Sequence, residues 1–230
     1  MAQPSYISIP VEELPFKTES AGSRISFVEA FKRDVDFWGN GRRKIFHHVT
    51  PSLVQFLNES NILRSGCGVE WCDVGCGGGF FLEGLISSAQ QRGFVVDPRG
   101  VDVSPEALDR CRELWPGRCF EVMDLNNLAQ YASEWKPWFT ANVVSIVDVL
   151  HYLNNYKMVL DRIWTEIPLG TTVVVADSVI RFQFRRYLDS KPDAALIGSW
   201  TDRTMPVVEK IWTGNGTNRY MKYVVYRKLS

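Results

Sequence analysis

The stretch Trp71-Cys72-Asp73-Val74-Gly75-Cys76-Gly77-Gly78-Gly79-Phe80 has the residue types needed to hold a nucleoside. An apolar run ending in clustered glycines lets backbone pass close against a ligand. The helix expected to open at Phe80 begins with N–H groups that have no partner inside it. Glycine in such a turn costs conformational entropy, which close approach of a ligand offsets. Acids stand where later strands are expected to end: Asp102 in Gly100-Val101-Asp102-Val103, Asp124 in Val122-Met123-Asp124-Leu125, and Asp148 in Val147-Asp148-Val149-Leu150-His151-Tyr152. An ionised carboxylate offers two acceptor oxygens, which suits the paired hydroxyls of a ribose. At the third strand end a carboxylate can accept from an adenine amino group. The pattern predicts a site for an adenosine-like ligand at the carboxyl end of a sheet, where open α/β folds bind their ligands.

A dinucleotide fingerprint, G-x-G-x-x-G, is the obvious competitor. Read from Gly75 it meets Phe80 where a glycine or alanine is required, and read from Gly77 it meets Leu82, so hydride chemistry is disfavoured. The string Asp73-Val74-Gly75-Cys76-Gly77-Gly78-Gly79 closely resembles motif I of the class I S-adenosylmethionine (SAM)-dependent methyltransferases, and the resemblance extends from about residue 69 to 178. It implies SAM as cofactor, S-adenosylhomocysteine (SAH) as product, and no metal. It further implies cofactor contacts from Asp73, Gly75, Cys76, Gly77 and Gly79, from Asp102 with Val103 at the ribose, and from Asp124 with Leu125 at the adenine. Val147 and Asp148 would complete the site from the fourth strand. Asp97 remains an alternative ribose acid, because Phe94-Val95-Val96 could be the strand; Asp102 could instead cap the helix at Pro105, and Asp124 could form a turn. Many family members carry an acid, a leucine and then a histidine after the fourth strand. This chain departs from that order, with Asp148 and Leu150 followed by His151 and Tyr152.

Methyl transfer from a sulfonium is an in-line displacement whose leaving group is already activated, so the protein aligns the reactants, excludes water and, for some acceptors, removes a proton. Histidine is the natural base near neutral pH, which makes His151 the catalytic candidate with Tyr152 or Asp148 as helper. A pocket-lining role for His151 stays open. Phe37-Trp38-Gly39-Asn40-Gly41-Arg42-Arg43-Lys44 joins aromatic surface to three cations, and such a loop could act as a lid in which Trp38 covers the sulfonium and Arg42 grips an anionic group. An ordinary solvated helix connection would read the same. Residues 178–204, with Arg185, Arg186 and Trp200, form a second candidate substrate element, for which core packing is the competing explanation.

The elements that must position these residues alternate. Strands are expected at Val69–Cys76, Gly100–Val103, Phe120–Asp124, Val143–Val149 and Thr171–Ala176, with helices at Phe80–Gln91, Pro105–Leu114 and Lys157–Ile167 between them. A hairpin of Val207–Trp212 and Tyr220–Lys228 around Gly214-Asn215-Gly216 should follow. Before the first strand, helices are expected over Ile25–Phe37 and from Pro51, the second with Thr50 as N-cap. The expected fold is α/β: a doubly wound, mostly parallel seven-stranded sheet with a C-terminal antiparallel hairpin and an N-terminal helical cap. Residues 1–65 would form the arm and helical lid of a single domain, and 66–230 its SAM-binding part.

Composition narrows the partners. Lys plus Arg and Asp plus Glu both number 26, so no net field favours a nucleic acid. Five cysteines lack zinc-site spacing and read as reduced, half-buried residues. The N-terminus MAQPSYISIPVEELPF shows neither a basic leader nor an apolar span, so the cytoplasm is expected. The expected function is methylation of oxygen or nitrogen on a small metabolite or biosynthetic intermediate by a monomer or homodimer. The alternatives are a SAM-binding partner or regulator without catalysis, and a protein or nucleic-acid methyltransferase.

Overall fold

A strand that is buried along its whole length must lie inside a sheet covered on both faces, and Val143–Val147 (β4) is such a strand. The computed structural model, which describes residues 35–36, 45–131, 136–177, 182–208 and 219–229, places β4 at the centre of a single sheet. β1 (Gly68–Val74), β2 (Val95–Asp102), β3 (Phe120–Val122) and β5 (Thr172–Asp177) run parallel with it. β7 (Arg219–Lys228) inserts antiparallel between β5 and the outermost strand β6 (Ala194–Val208). The seven-stranded order is β3-β2-β1-β4-β5-β7-β6. The expected arm 1–24, nearly all of the helix Ile25–Phe37, the loop with Trp38 and Arg42, and the turn around Gly214–Gly216 lie outside the described residues.

Helices cover both faces. On one side lie α1 (Ile45–Glu59), α2 (Phe80–Gln90) and α3 (Pro105–Leu114), which bury Val49, Leu53, Leu57, Leu82, Leu85 and Leu108 with Trp71 of β1. On the other side α4 (Tyr156–Glu166) buries Val159, Leu160 and Ile163, joined by Leu188 of α5 (Phe182–Asp189) and by Leu128 and Trp138 from two 3₁₀ segments. Local capping agrees with these starts. Ser104 accepts the Ala107 N–H at 3.3 Å ahead of Pro105, and Asn155 accepts the Met158 N–H at 3.2 Å.

β3 and β4 stop two residues short of expectation, at Val122 and Val147. Four other places also depart from the sequence-based boundaries. Thr50 is not an N-cap: α1 begins at Ile45, and the buried Thr50 hydroxyl donates to the Phe46 carbonyl at 2.6 Å and meets Ser88 Oγ of α2 at 2.9 Å. α1 and α2 cross so closely there that a β-carbon at Gly84 would lie 2.6 Å from the Phe46 backbone. β2 is not the short Gly100–Val103 strand but begins at Val95, running through Pro98. Gly100 donates its N–H to Cys119 at 3.0 Å on the β3 side, so Pro98, two residues earlier, turns its missing donor to the same side, where β3 does not reach. β1 ends at Val74, leaving Cys76 in the loop rather than in the strand.

The fourth place is the hairpin. β6 starts at Ala194 instead of Val207, because pairing with β7 carries a bulged edge strand through Gly198 and Pro206. The expected substrate segment is therefore sheet from Ala194 onward. Its Trp200 stacks on Tyr223 at 4.9 Å between ring centroids and leans on Phe56 at 4.6 Å.

Candidate functional site

The parallel strands bring their carboxyl ends together around the loop that follows β1. At its start Gly75 has φ +77°, and a β-carbon there would lie 2.4 Å from Val149 Cγ2 in the loop after β4. Only glycine fits both the left-handed backbone and the gap. The loop closes when Gly79 donates to the Cys76 carbonyl at 2.9 Å, and Gly79, also left-handed, sits as N-cap of α2. Gly77 turns its N–H outward from the loop onto Asp102 Oδ2, 2.8 Å away at the end of β2. Cys76 is buried, and burial pushes its thiol well above the usual range.

Asp102 stands where a ribose acid is required. Its Oδ1 accepts the Ser104 N–H at 3.0 Å, while the carboxylate also feels the backbone N–H of Val103. Burial raises its pKa against the pull of these donors from Ser104, Gly77 and Val103. A carboxylate has about four acceptor positions, so three backbone donors leave it room for a hydroxyl. Asp97 sits elsewhere: five residues earlier on the same strand, it pairs with Arg118 at 2.8 Å and with Arg99 at 3.8 Å. Ser104, not Asp102, is the cap of α3.

Behind the loop lies a buried polar relay. Trp71 Nε1 donates to Ser145 Oγ at 2.7 Å, and Ser145 donates to Asp73 Oδ1 at 2.6 Å. Asp73 is only 1% exposed, and burial lifts its pKa to about 7, opposed by the Ser145 hydrogen bond and assisted by the negative charge of Asp102. Ser145 escaped the sequence reading. Its signal was a hydroxyl in an otherwise aliphatic strand, opposite a buried acid in register.

Asp124 follows β3 and builds a turn, accepting the Asn126 N–H at 2.9 Å and Asn127 Nδ2 at 2.5 Å, with buried Leu125 beside it. The chain leaves β4 after buried Val147 through Asp148, which takes a left-handed φ of +54° and donates its N–H to Ala176 at 2.8 Å. Such a conformation in a non-glycine residue is uncommon and concentrates at functional sites. A 3₁₀ turn, Leu150–Tyr152, follows at once and carries His151 beside half-buried Tyr152. The His151 side chain is outside the described residues.

Arg185 and Arg186 lie apart from this cluster. Arg185 reaches Ser199 Oγ on β6 at 3.3 Å and Asp189 Oδ2 at 3.6 Å, and Arg186 is exposed on the same helix. β6 is four strands from β1, roughly 19 Å at ordinary strand spacing. Among the described residues no three His, Cys, Asp or Glu side chains converge as a metal site requires, and no helix is long and apolar enough to cross a membrane.

Known proteins share this architecture. The N-methyltransferase NodS from Bradyrhizobium japonicum, solved with SAH, superposes with a TM-score of 0.62 at 13% identity, covering 88% of this chain and 98% of its own. The plantazolicin methyltransferase BpumL, also solved with SAH, gives 0.59 at 16% identity, over 89% and 92%. The [4+2]-cyclase SpnF gives 0.55 at 15% identity, over 78% and 80%, so methyl transfer is not the sole activity found on this fold. No curated protein sequence matches the chain. A family model described as a methyltransferase domain matches residues 37–204, most of the chain's length. The chain belongs to that methyltransferase-domain family.

Proposed function

We propose that the chain binds SAM in the crevice at the glycine loop and transfers its methyl group to an oxygen or nitrogen of a small-molecule acceptor. The observation that carries this reading is the link from Gly77 N–H to Asp102, which sets a glycine loop and a buried acid at adjacent strand ends. Asp102 would hold the ribose through its remaining acceptor capacity. Asp124 and the backbone beside Leu125 would face the adenine, and Gly75, Gly77 and Gly79 would let the backbone approach the nucleoside. Bound SAM supplies a sulfonium-activated methyl group for in-line displacement.

The chain's own contribution is alignment and proton handling. His151, one turn beyond β4, would take a proton from a hydroxyl or ammonium acceptor, with Tyr152 or Asp148 beside it. Trp38 and Arg42 would close a lid drawn from residues 1–65, and residues 66–230 would form the cofactor part of the same domain. The equal numbers of acidic and basic residues support a small acceptor over a nucleic acid. Arg185 and Arg186, near the β6 edge, would serve only an acceptor that reaches that far along the sheet.

The test is to incubate the protein with a metabolite extract and SAM labelled with tritium on its methyl group. Label in the small-molecule fraction is expected. Label confined to protein or RNA would overturn the acceptor class. Cofactor binding without any transfer would favour a second reading, a SAM-binding protein of another activity, for which the cyclase on this fold is a precedent.

A further inference from the structure

The glycine loop is held from behind by α3. Arg110 donates through Nη1 to the Gly78 carbonyl, and through Nη2 to Glu83 Oε2 at 2.6 Å in the first turn of α2. Its guanidinium also lies 4.0 Å from the centroid of the Phe80 ring, at the first residue of that helix. The next residue, Cys111, places its Sγ 3.4 Å from the Gly77 carbonyl. Consecutive residues of α3 thus fasten consecutive carbonyls of the loop. The packing is tight: a β-carbon at Gly79 would lie 2.9 Å from Cys111 Sγ and 2.8 Å from the Trp115 ring.

This has a consequence for ligand binding. In a planar trans peptide the carbonyl and the N–H point in opposite directions. The Gly77 carbonyl held toward Cys111 turns the Gly78 N–H to the other side of the loop, while the Gly78 carbonyl held by Arg110 belongs to the peptide whose N–H, that of Gly79, closes the loop on the Cys76 carbonyl at 2.9 Å. Glycine loses more backbone freedom on ordering than any other residue, so a run of glycines is expensive to fix at the moment of binding. Holding the run in place beforehand lowers that cost and so raises affinity. Of the side chains that touch the loop, Arg110 is suited to this because its planar fork bonds two acceptors at once while its face stacks on a ring.

We infer that Arg110 is a positioning residue for the cofactor site, holding the glycine loop and the start of α2 in their ligand-ready shape from the side away from the ligand. The inference rests on the reading that this crevice takes SAM. A residue that merely stabilised the fold would, when replaced, reduce the fraction of competent molecules. A positioning residue would change the affinity of every molecule.

Calorimetric titration with SAH separates the two, because stoichiometry reports the competent fraction and the dissociation constant reports the site. Arg110→Ala is expected to raise the Kd at least tenfold with stoichiometry unchanged. Arg110→Met, which keeps an unbranched stem over Phe80 without the charge, should behave likewise and serves if the alanine variant does not fold. Arg110→Lys, which can still reach the Gly78 carbonyl, should recover most of the loss. Glu83→Gln, which leaves the hold on Gly78, should stay within about threefold of wild type. An Arg110 variant with wild-type Kd, or with lowered stoichiometry and unchanged Kd, overturns the inference. Absence of SAH binding by the wild type would overturn the cofactor reading itself, and this inference with it.

Discussion

The Gly77 N–H donates to Asp102 Oδ2 over 2.8 Å, so the loop after β1 and the acid ending β2 form one unit rather than two neighbouring features. Ser104 closes it from the other side with its own N–H, 3.0 Å from Oδ1.

Asp102→Asn tests that unit. The amide substitutes an NH₂ for one acceptor oxygen, so one backbone donor then faces a donor, and the hydroxyl-binding capacity falls. A hydrogen bond to a charged group contributes about 1.5–3 kcal/mol, which predicts a roughly 10- to 150-fold rise in the Kd for SAH. Calorimetry reads it directly; a Kd within twofold of wild type would remove Asp102 from the ribose.

Gly75→Ala should destabilise the fold. The left-handed φ costs a β-carbon roughly 1–2 kcal/mol and the clash with Val149 roughly 1–3 kcal/mol more. Urea denaturation should show the loss, and Val149→Ala in the same chain should return the steric part. Equal destabilisation with and without the second change would show that the contact is not what excludes a side chain.

Asp73 predicts a pH dependence of stability. Its folded pKa of about 7 lies above the unfolded 3.8, so between these values the folded state holds a proton that the unfolded state has released. Stability from this group is full below about pH 4 and falls as pH rises through 7, by a change on the order of 4 kcal/mol. Asp73→Asn keeps a carbonyl oxygen for Ser145 and should flatten that slope while gaining stability at pH 8. Unfolding measured at pH 5 and pH 8 decides it; parallel slopes in both proteins would show that Asp73 titrates normally.

His151→Ala is expected to lower methyl transfer to the labelled product about 100-fold or more, the usual worth of a general base, while SAH affinity changes less than twofold. Unchanged transfer would take His151 out of the chemistry. A matching loss of SAH affinity would make it a pocket wall.

The parts of this site that the sequence made legible are those whose physics is local. A glycine run after an apolar strand, acids at strand ends and Ser104 before Pro105 are short-range patterns, and the parallel order with an antiparallel end follows from their alternation. What stayed hidden depends on partners distant in sequence. Thr50 resembled a cap because its hydroxyl partner on Ser88 lies 38 residues away. β2 reads as the short strand Gly100–Val103 because Pro98 is admissible in a longer one only where β3 falls short. The hold of Arg110 on Gly78 spans 32 residues, and an arginine within a helix gives no hint of it. For Trp200 the sequence leaves substrate contact and core packing both open, and its contacts with Tyr223 and Phe56 favour packing.

Titration of SAM into the purified wild-type chain by calorimetry bears most directly on the central claim. Saturable binding of one cofactor per chain, weakened by Asp102→Asn, is predicted. No heat of binding with the cofactor at millimolar concentration, from protein shown to be folded, would contradict it.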